Sequence, residues 1–346
     1  MENEMAAPNL EARDAAGRPR AHAPGHGRAA GAFLLAGLLT WIGAPTSTPR
    51  AAEAPVLDSA LVLRLAHGGI EFDGPQGIAL DVAHGEVAVA NTGAGRVEFF
   101  DLRTFPRGFF VHRVPDPATG AWRDGMPVHL AVDREGHVLI SDLLADYVDV
   151  VNYRGRPVTR LHLPPPDDTL AAGRGPGALA IGPDGTIWVA SRGKEGRIHA
   201  FDADYRLVRS WGTPGAAPGQ LSAIAALAVT PQGEVVVGCV RTEVAIQTFD
   251  AQGTYLRGFG THDMGPGNFS FPSGIAATAD GRLWVSDAIR HTMQVFDRAG
   301  TLLGGVGGIG VGPGEYVNPS ALASDGKGLL ALAENAGRRF QLMWVR

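Results

Sequence analysis

Residues 275–287 read IAATADGRLWVSD. An apolar run ends in the polar pair Asp280-Gly281, and a second apolar run follows. Two short apolar stretches joined through Asp-Gly form the pattern of a β-hairpin. The same pattern recurs as IALDVAHGEVAVAN from Ile78, LAVDREGHVLISD from Leu130, LAIGPDGTIWVAS from Leu179, LAVTPQGEVVVGC from Leu227 and LASDGKGLLALAE from Leu322. The turn glycines Gly85, Gly136, Gly185, Gly233, Gly281 and Gly328 are spaced by 51, 49, 48, 48 and 47 residues. A period near 48 residues, carried by strands, is the mark of a repeat architecture in which each unit is a small sheet.

Each hairpin leads into a third stretch with strand-like alternation: VEFFDL (97–102), VDVVNY (148–153), IHAFDA (198–203), IQTFDA (246–251), MQVFDR (293–298) and FQLMWV (340–345). Four of these contain Phe-Asp, and Asp suits the turn that follows. A fourth stretch follows the first five: FFVHRV (109–114), PVTRLHL (157–163), RLVRSW (206–211), TYLRGF (254–259) and TLLGGV (301–306). The sixth copy has none after it, but ALVLRLA (60–66) precedes the first copy. The pattern therefore predicts an all-β, six-bladed β-propeller of four-stranded blades, with the N-terminal strand pairing into the last blade. Such closure removes the exposed strand edges that an open array would present.

Composition agrees. The 346 residues include 48 Gly and 24 Pro, which favour tight turns over long helices. The net charge of −5 argues against bulk nucleic-acid binding, and no nucleic-acid partner is expected. With Cys239 the single cysteine, no intramolecular disulfide can form. Residues 1–54 read as a leader: 1–28 lack a structural period, 29–44 (AAGAFLLAGLLTWIGA) form an uncharged apolar run behind Arg28, and Ala52-Glu53-Ala54 supplies a small-x-small site. That order of basic, apolar and small-residue segments is a secretory signal, so a periplasmic or secreted protein is expected. The alternative is a membrane anchor formed by residues 29–44, which fall short of the ~20 residues of a full span. The propeller is assigned to 55–346 and is expected to be a monomer.

The segments between copies read Gly-rich, then Pro-Gly, then an aromatic or apolar residue, then Pro-x-Gly-Ile-Ala or a variant. GTHDMGPGNFSFPSGIA (260–276) and GGIGVGPGEYVNPSALA (307–323) show it, and GTPGAAPGQLSAIAALA (212–228) is a looser copy. This resembles the NHL repeat, whose pattern also opens the third strand with Arg. Arg96, Arg197 and Arg339 match that position, whereas Tyr147, Ala245 and Thr292 depart from it. The resemblance spans roughly 56–346 and implies a propeller, not a particular reaction. NHL propellers include protein-binding and RNA-binding modules, and their relatives include metal-dependent lyases and lactonases.

Some motifs carry no chemistry. Gly305 to Gly310 fits G-x-G-x-x-G, but GPGEYVNP follows where a dinucleotide site needs a helix. HExxH, CxxC, G-x-S-x-G and Walker-type motifs are absent. The amidating-lyase relatives place three His residues around the channel; at the corresponding starts of the first strands this sequence offers His129 alone, too few for a catalytic zinc centre. A second ring lies at the loop after each second strand: Asn91, Asp142, Ser191, Cys239, Asp287 and Glu334. Its oxygens suit a hard cation, so Asn91, Asp142, Asp287 and Glu334 are the candidate ligands for Ca²⁺ or another divalent ion. Arg192, Arg241 and His291 on the same loops give the face a mixed charge suited to a protein partner or a small anionic ligand.

The expected function is an extracytoplasmic, non-catalytic binding or scaffolding module. Its face comprises Asn91, His129, Asp142, Arg192, Arg241, Asp287, His291 and Glu334. The alternative is a metal-dependent propeller hydrolase or lyase with a divalent cation at the central channel mouth.

Overall fold

The computed structural model describes residues 54–165 and 175–346. Of the predicted leader, residues 1–54, all but Ala54 lie outside the described residues. Among the described residues every regular element is a strand.

Six four-stranded antiparallel sheets follow one another along the chain. Blade 1 holds β2 (Pro75–Asp81), β3 (Glu86–Asn91), β4 (Arg96–Asp101) and β5 (Pro106–Val111). Blade 2 holds β8 (Pro127–Val132), β9 (Val138–Asp142), β10 (Tyr147–Val151) and β11 (Pro157–His162). Blade 3 holds β12 (Pro176–Ile181), β13 (Ile187–Ser191), β14 (Ile198–Phe201) and β15 (Leu207–Trp211). Blade 4 holds β16 (Ile224–Val229), β17 (Val235–Cys239), β18 (Ile246–Phe249) and β19 (Tyr255–Phe259). Blade 5 holds β20 (Pro272–Ala277), β21 (Leu283–Asp287), β22 (Thr292–Phe296) and β23 (Leu302–Val306). Blade 6 holds β24 (Pro319–Ser324), β25 (Leu329–Glu334) and β26 (Arg339–Val345), and its outer strand is β1 (Leu57–Leu63) from the other end of the chain. Between blades 1 and 2 the crossover carries a small hairpin, β6 (Arg113–Pro115) and β7 (Trp122–Asp124), that the repeat pattern does not foresee.

The core is divided into six apolar seams, one between each pair of neighbouring blades. The seam joining blade 6 to blade 1 packs Phe340, Leu342 and Ala331 against Phe100, Val87 and Ile78, so the ring is continuous. The Phe of the Phe-Asp repeat serves these seams: Phe100, Phe201, Phe249 and Phe296 are each at most 2% exposed and pack on the preceding blade. The Asp serves the turn. Asp101 Oδ1 accepts from the backbone N–H of Arg103 and Phe105, Asp202 from Asp204 and Arg206, and Asp250 from Gln252 and Thr254. One dipeptide thus supplies both a packing residue and a turn cap.

β1 pairs antiparallel with β26 from Leu57 opposite Val345 to Leu63 opposite Phe340. The strand begins three residues before the predicted 60–66, because Leu57, Ala60 and Leu63 reach the seams while Leu65 leaves the sheet to bridge Glu71. The fourth strand of blade 1 is likewise Pro106–Val111 and not 109–114, since a bulge at Phe99/Phe100 sets its register and His112 turns into a buried polar cluster.

Candidate functional site

In every blade the first residue of the inner strand pairs with the last residue of the second: Pro75 with Asn91, Pro127 with Asp142, Pro176 with Ser191, Ile224 with Cys239, Pro272 with Asp287 and Pro319 with Glu334. A bulge follows each pair and sets the next residues of the inner strand toward the axis. Gly77, His129, Ala178, Ala226, Gly274 and Ala321 consequently line the central channel. Small side chains leave room there; His129 is the large polar exception. Gly274 has no room for a side chain, since a Cβ would come within 2.6 Å of Leu322 N.

The four candidate cation ligands do not face this channel. Asn91, Asp142, Asp287 and Glu334 are all fully buried, and each holds the crossover that enters its own blade. Asn91 Oδ1 accepts from Asp73 N–H at 2.7 Å, and its Nδ2 donates to Glu98 at 2.7 Å. Asp287 accepts from the N–H groups of Ser270, Phe271, Ile289 and Arg290 at 2.6–3.2 Å. Glu334 accepts from Val317 N–H at 2.7 Å, from Arg339 Nε at 2.6 Å and from Gln341 Nε2 at 2.7 Å. Asp142 accepts from Leu144 N–H and pairs with His112 Nδ1, both at 2.8 Å. The expected Ca²⁺ set of Asn91, Asp142, Asp287 and Glu334 is therefore corrected: their lone pairs are directed at backbone and neighbouring side chains, and they do not share a centre. Among the described residues, the group with ligand atoms mutually within 4.8 Å is Asp133, Glu135 and His137. It lies in the β8–β9 turn, at the opposite end of the inner strand from His129, and Asp133 Oδ1 there caps the turn through Glu135 and His137 N–H.

The remaining expected face residues divide. Arg192 is half-buried and donates to the Asp142 carbonyl at 3.3 Å. Arg241 is exposed. His291 adopts φ 56° and its Nδ1 accepts from Asn318 N–H at 2.8 Å. Asn318 itself has φ 55° although a proline follows, a conformation costly for both reasons. It is held there by Nδ2 donating to the Ala288 carbonyl and by Asn335 N–H donating to its own carbonyl.

His291 and Asn318 thereby shape a recess of about 340 Å³ at the channel mouth, lined among others by Gln76, His129, Phe271, Ser273, Ile289, Asn318 and Asn335. Burial, with the Arg192 guanidinium nearby, pushes His129 down to about 4, so its imidazole is neutral at ordinary pH. Neither ring nitrogen of His129 has a protein hydrogen-bonding partner among the described residues, and the same is true of the side-chain amide of Gln76. The lining carries no carboxylate; one imidazole with neutral amides and hydroxyls does not fit a three-ligand catalytic metal centre.

Two sets of residues escaped the sequence reading. Gln76, Asn318 and Asn335 lie in loops or at a strand start, where no periodicity marks them. The other set is a polar ring at the middle of every third strand: Glu98, Asp149, His199, Gln247, Gln294 and Gln341, each nearly or fully buried. A polar residue at one register in all six copies is its signal.

Comparison with known proteins places these features. The NHL repeat profile matches residues 269–296, the crossover and first three strands of blade 5. The match falls in one of six blades that share the same strand pattern. The chain is an NHL-repeat six-bladed β-propeller. No curated protein matches this NHL propeller by sequence. Solved structures do match by fold. A streptogramin B lyase is 17% identical with a TM-score of 0.56, covering 83% of this chain and 98% of that one. A virginiamycin B lyase from Staphylococcus aureus is 16% identical with a TM-score of 0.55, covering 82% and 98%. A gluconolactonase from Xanthomonas campestris is 15% identical with a TM-score of 0.57, covering 85% and 95%. At such identities the likeness establishes the propeller fold.

Proposed function

We propose that this NHL propeller is a small-molecule lyase or hydrolase that works at its channel mouth, with His129 as the proton acceptor. The observation that carries the reading is the half-buried imidazole of His129, without a protein hydrogen-bonding partner among the described residues, in the lining of a concave recess with few other unengaged polar groups. Ligand sites are concave and largely apolar, with a small number of polar groups that fix orientation. A half-buried imidazole kept unprotonated is ready to accept a proton or a hydrogen bond. Gln76 and Asn335 supply neutral donors and acceptors for a substrate carbonyl. The lyases and the gluconolactonase among the structural neighbours support this class, and the lack of a carboxylate set at the mouth moves the reading away from the metal-dependent form. The signal sequence read at residues 29–44 would place the activity outside the cytoplasm.

The test is to incubate the protein with a panel of cyclic esters, including a type B streptogramin and gluconolactone, and to follow the ring by mass spectrometry. A lyase opens the ring at unchanged mass, and a hydrolase adds one water. Turnover should fall about 100-fold in His129→Ala, the usual scale of a lost acid–base group, with the fold intact by circular dichroism. Full turnover in His129→Ala would contradict the reading.

One observation favours a second reading, docking of a protein partner on the loop face. Ile289, Val311, Ile309 and Met264 on that face are 61–74% exposed. Exposed apolar groups on loops suit a partner surface.

A further inference from the structure

On the face opposite the channel mouth, the β8–β9 turn reads Asp133-Arg134-Glu135-Gly136-His137. The matching turns of blades 3 to 6 close by the same backbone bond as this one: Gly182 N–H to the Thr186 carbonyl, Thr230 to Glu234, Thr278 to Arg282 and Asp325 to Leu329. In each of them a side-chain oxygen accepts from the N–H of the closing residue, from Asp184, Thr230, Asp280 and Asp325 in turn. In blade 2, Asp133 Oδ1 fills that role alone, so the turn itself has no use for the Glu135 and His137 side chains. Both nevertheless gather beside Asp133. His137 Nδ1 lies 3.3 Å from Asp133 Oδ2 and 3.5 Å from Glu135 Oε2. Atoms bound tetrahedrally to one zinc ion at about 2.0–2.2 Å stand about 3.3–3.6 Å from one another. Tyr205, on the β14–β15 turn of blade 3, touches the same group: its Oη donates to Asp133 Oδ2 at 2.5 Å and lies 2.7 Å from His137 Nδ1. The phenol has one proton and gives it to Asp133, so His137 in its Nε2–H tautomer keeps the Nδ1 lone pair. Asp133 and His137 are shielded, whereas Glu135 is 72% exposed and leaves one side of the group open.

We infer that Asp133 Oδ2, Glu135 Oε2 and His137 Nδ1 form a zinc site, with water on the open Glu135 side as the fourth ligand. One imidazole nitrogen with two carboxylates suits Zn²⁺ and not Ca²⁺, which takes about six to eight oxygens. The Tyr205 hydrogen bond fixes the Asp133 carboxylate from outside, as partners of ligating groups do. The site lies at the other end of the inner strand from His129 and does not depend on the function proposed for the channel mouth.

The test treats the purified, untagged protein with a chelator, then titrates it with Zn²⁺ by calorimetry and with Co²⁺ by visible absorption, where intense bands mark tetrahedral coordination. Zn²⁺ should bind with a Kd of about 1 μM, and Co²⁺ should give the tetrahedral bands. His137→Ala should weaken Zn²⁺ about 100-fold and abolish those bands, and Glu135→Gln should weaken it about tenfold. An excess of Ca²⁺ should leave the bands in place. Absence of tetrahedral Co²⁺ bands overturns the inference, as does their displacement by Ca²⁺. Zn²⁺ binding that survives undiminished in the variants belongs to other side chains and overturns it equally. If His137→Ala fails to fold, Glu135→Gln carries the test, because its side chain is exposed and its loss leaves the turn's backbone bonds in place.

Discussion

The third-strand glutamines show how one side chain holds a loop. Gln247, Gln294 and Gln341 accept from the N–H of Gly219, Gly267 and Gly314 and donate to the carbonyls of Gln220, Asn268 and Glu315, at 2.7–2.9 Å. Each clamps the Pro-Gly turn of its crossover. Gln294→Ala should strand both backbone groups and cost about 1–3 kcal/mol, measured as a lower urea midpoint at unchanged m-value. Blade 6 adds a buried ion pair: Arg339 joins Glu334 and donates to the carbonyls of Gly310, Val311 and Glu315. Arg339→Met leaves the Glu334 carboxyl buried with one partner fewer, so a loss of about 3–5 kcal/mol is expected in the same experiment. In blades 1 to 3 the glutamine is replaced, and the sequence pattern could not show what the replacements do. In blade 2, Asp149 and Asp142 both bind His112, whose Nε2 and Nδ1 lie 3.1 and 2.8 Å from their oxygens. Burial opposes the charge on His112, but the two carboxylates outweigh it and raise its pKa to about 9. A group raised above its unfolded value of 6.5 stabilises fully below that pH, and the contribution is lost as pH rises through 9. Thermal stability should therefore decline between pH 6.5 and 9, and His112→Gln should flatten that decline; an unchanged slope in the variant would remove His112 as its cause.

At the scale of elements, the inner three strands of each blade were legible because they carry the period and the turn glycine, with the Phe-Asp pair added in blades 1, 3, 4 and 5. The ends of the chain were legible in outline only. β1 has weak alternation, and its register follows from what Leu57, Ala60 and Leu63 reach once β26 is in place. The β6–β7 hairpin was not legible, since VPDPATGAW carries turn signals but no repeat partner to compare with. Deleting residues 55–63 removes the whole partner of β26 and exposes its edge. That truncation should lower Tm substantially and promote aggregation, whereas deleting residues 1–50 should leave Tm near its original value; the comparison is made by scanning calorimetry and light scattering.

At the scale of the whole molecule, the inner strands all deliver their first residues to one mouth, and the second-strand ends lock the crossovers around it. The strand-end carboxylates looked like a ligand ring in the sequence because position in the repeat was visible and side-chain direction was not. His129 was visible as the lone His at an inner-strand start, but its neutral state depends on burial and on Arg192 from the next blade, which no local pattern encodes. The account stands on that state. The most direct measurement is a histidine-ring NMR titration of the intact protein, with the His129 signal identified by its loss in His129→Gln. The account predicts a midpoint near 4 and a neutral ring throughout the physiological range. A midpoint at or above about 6.5, the ordinary value for a solvated imidazole, would contradict it.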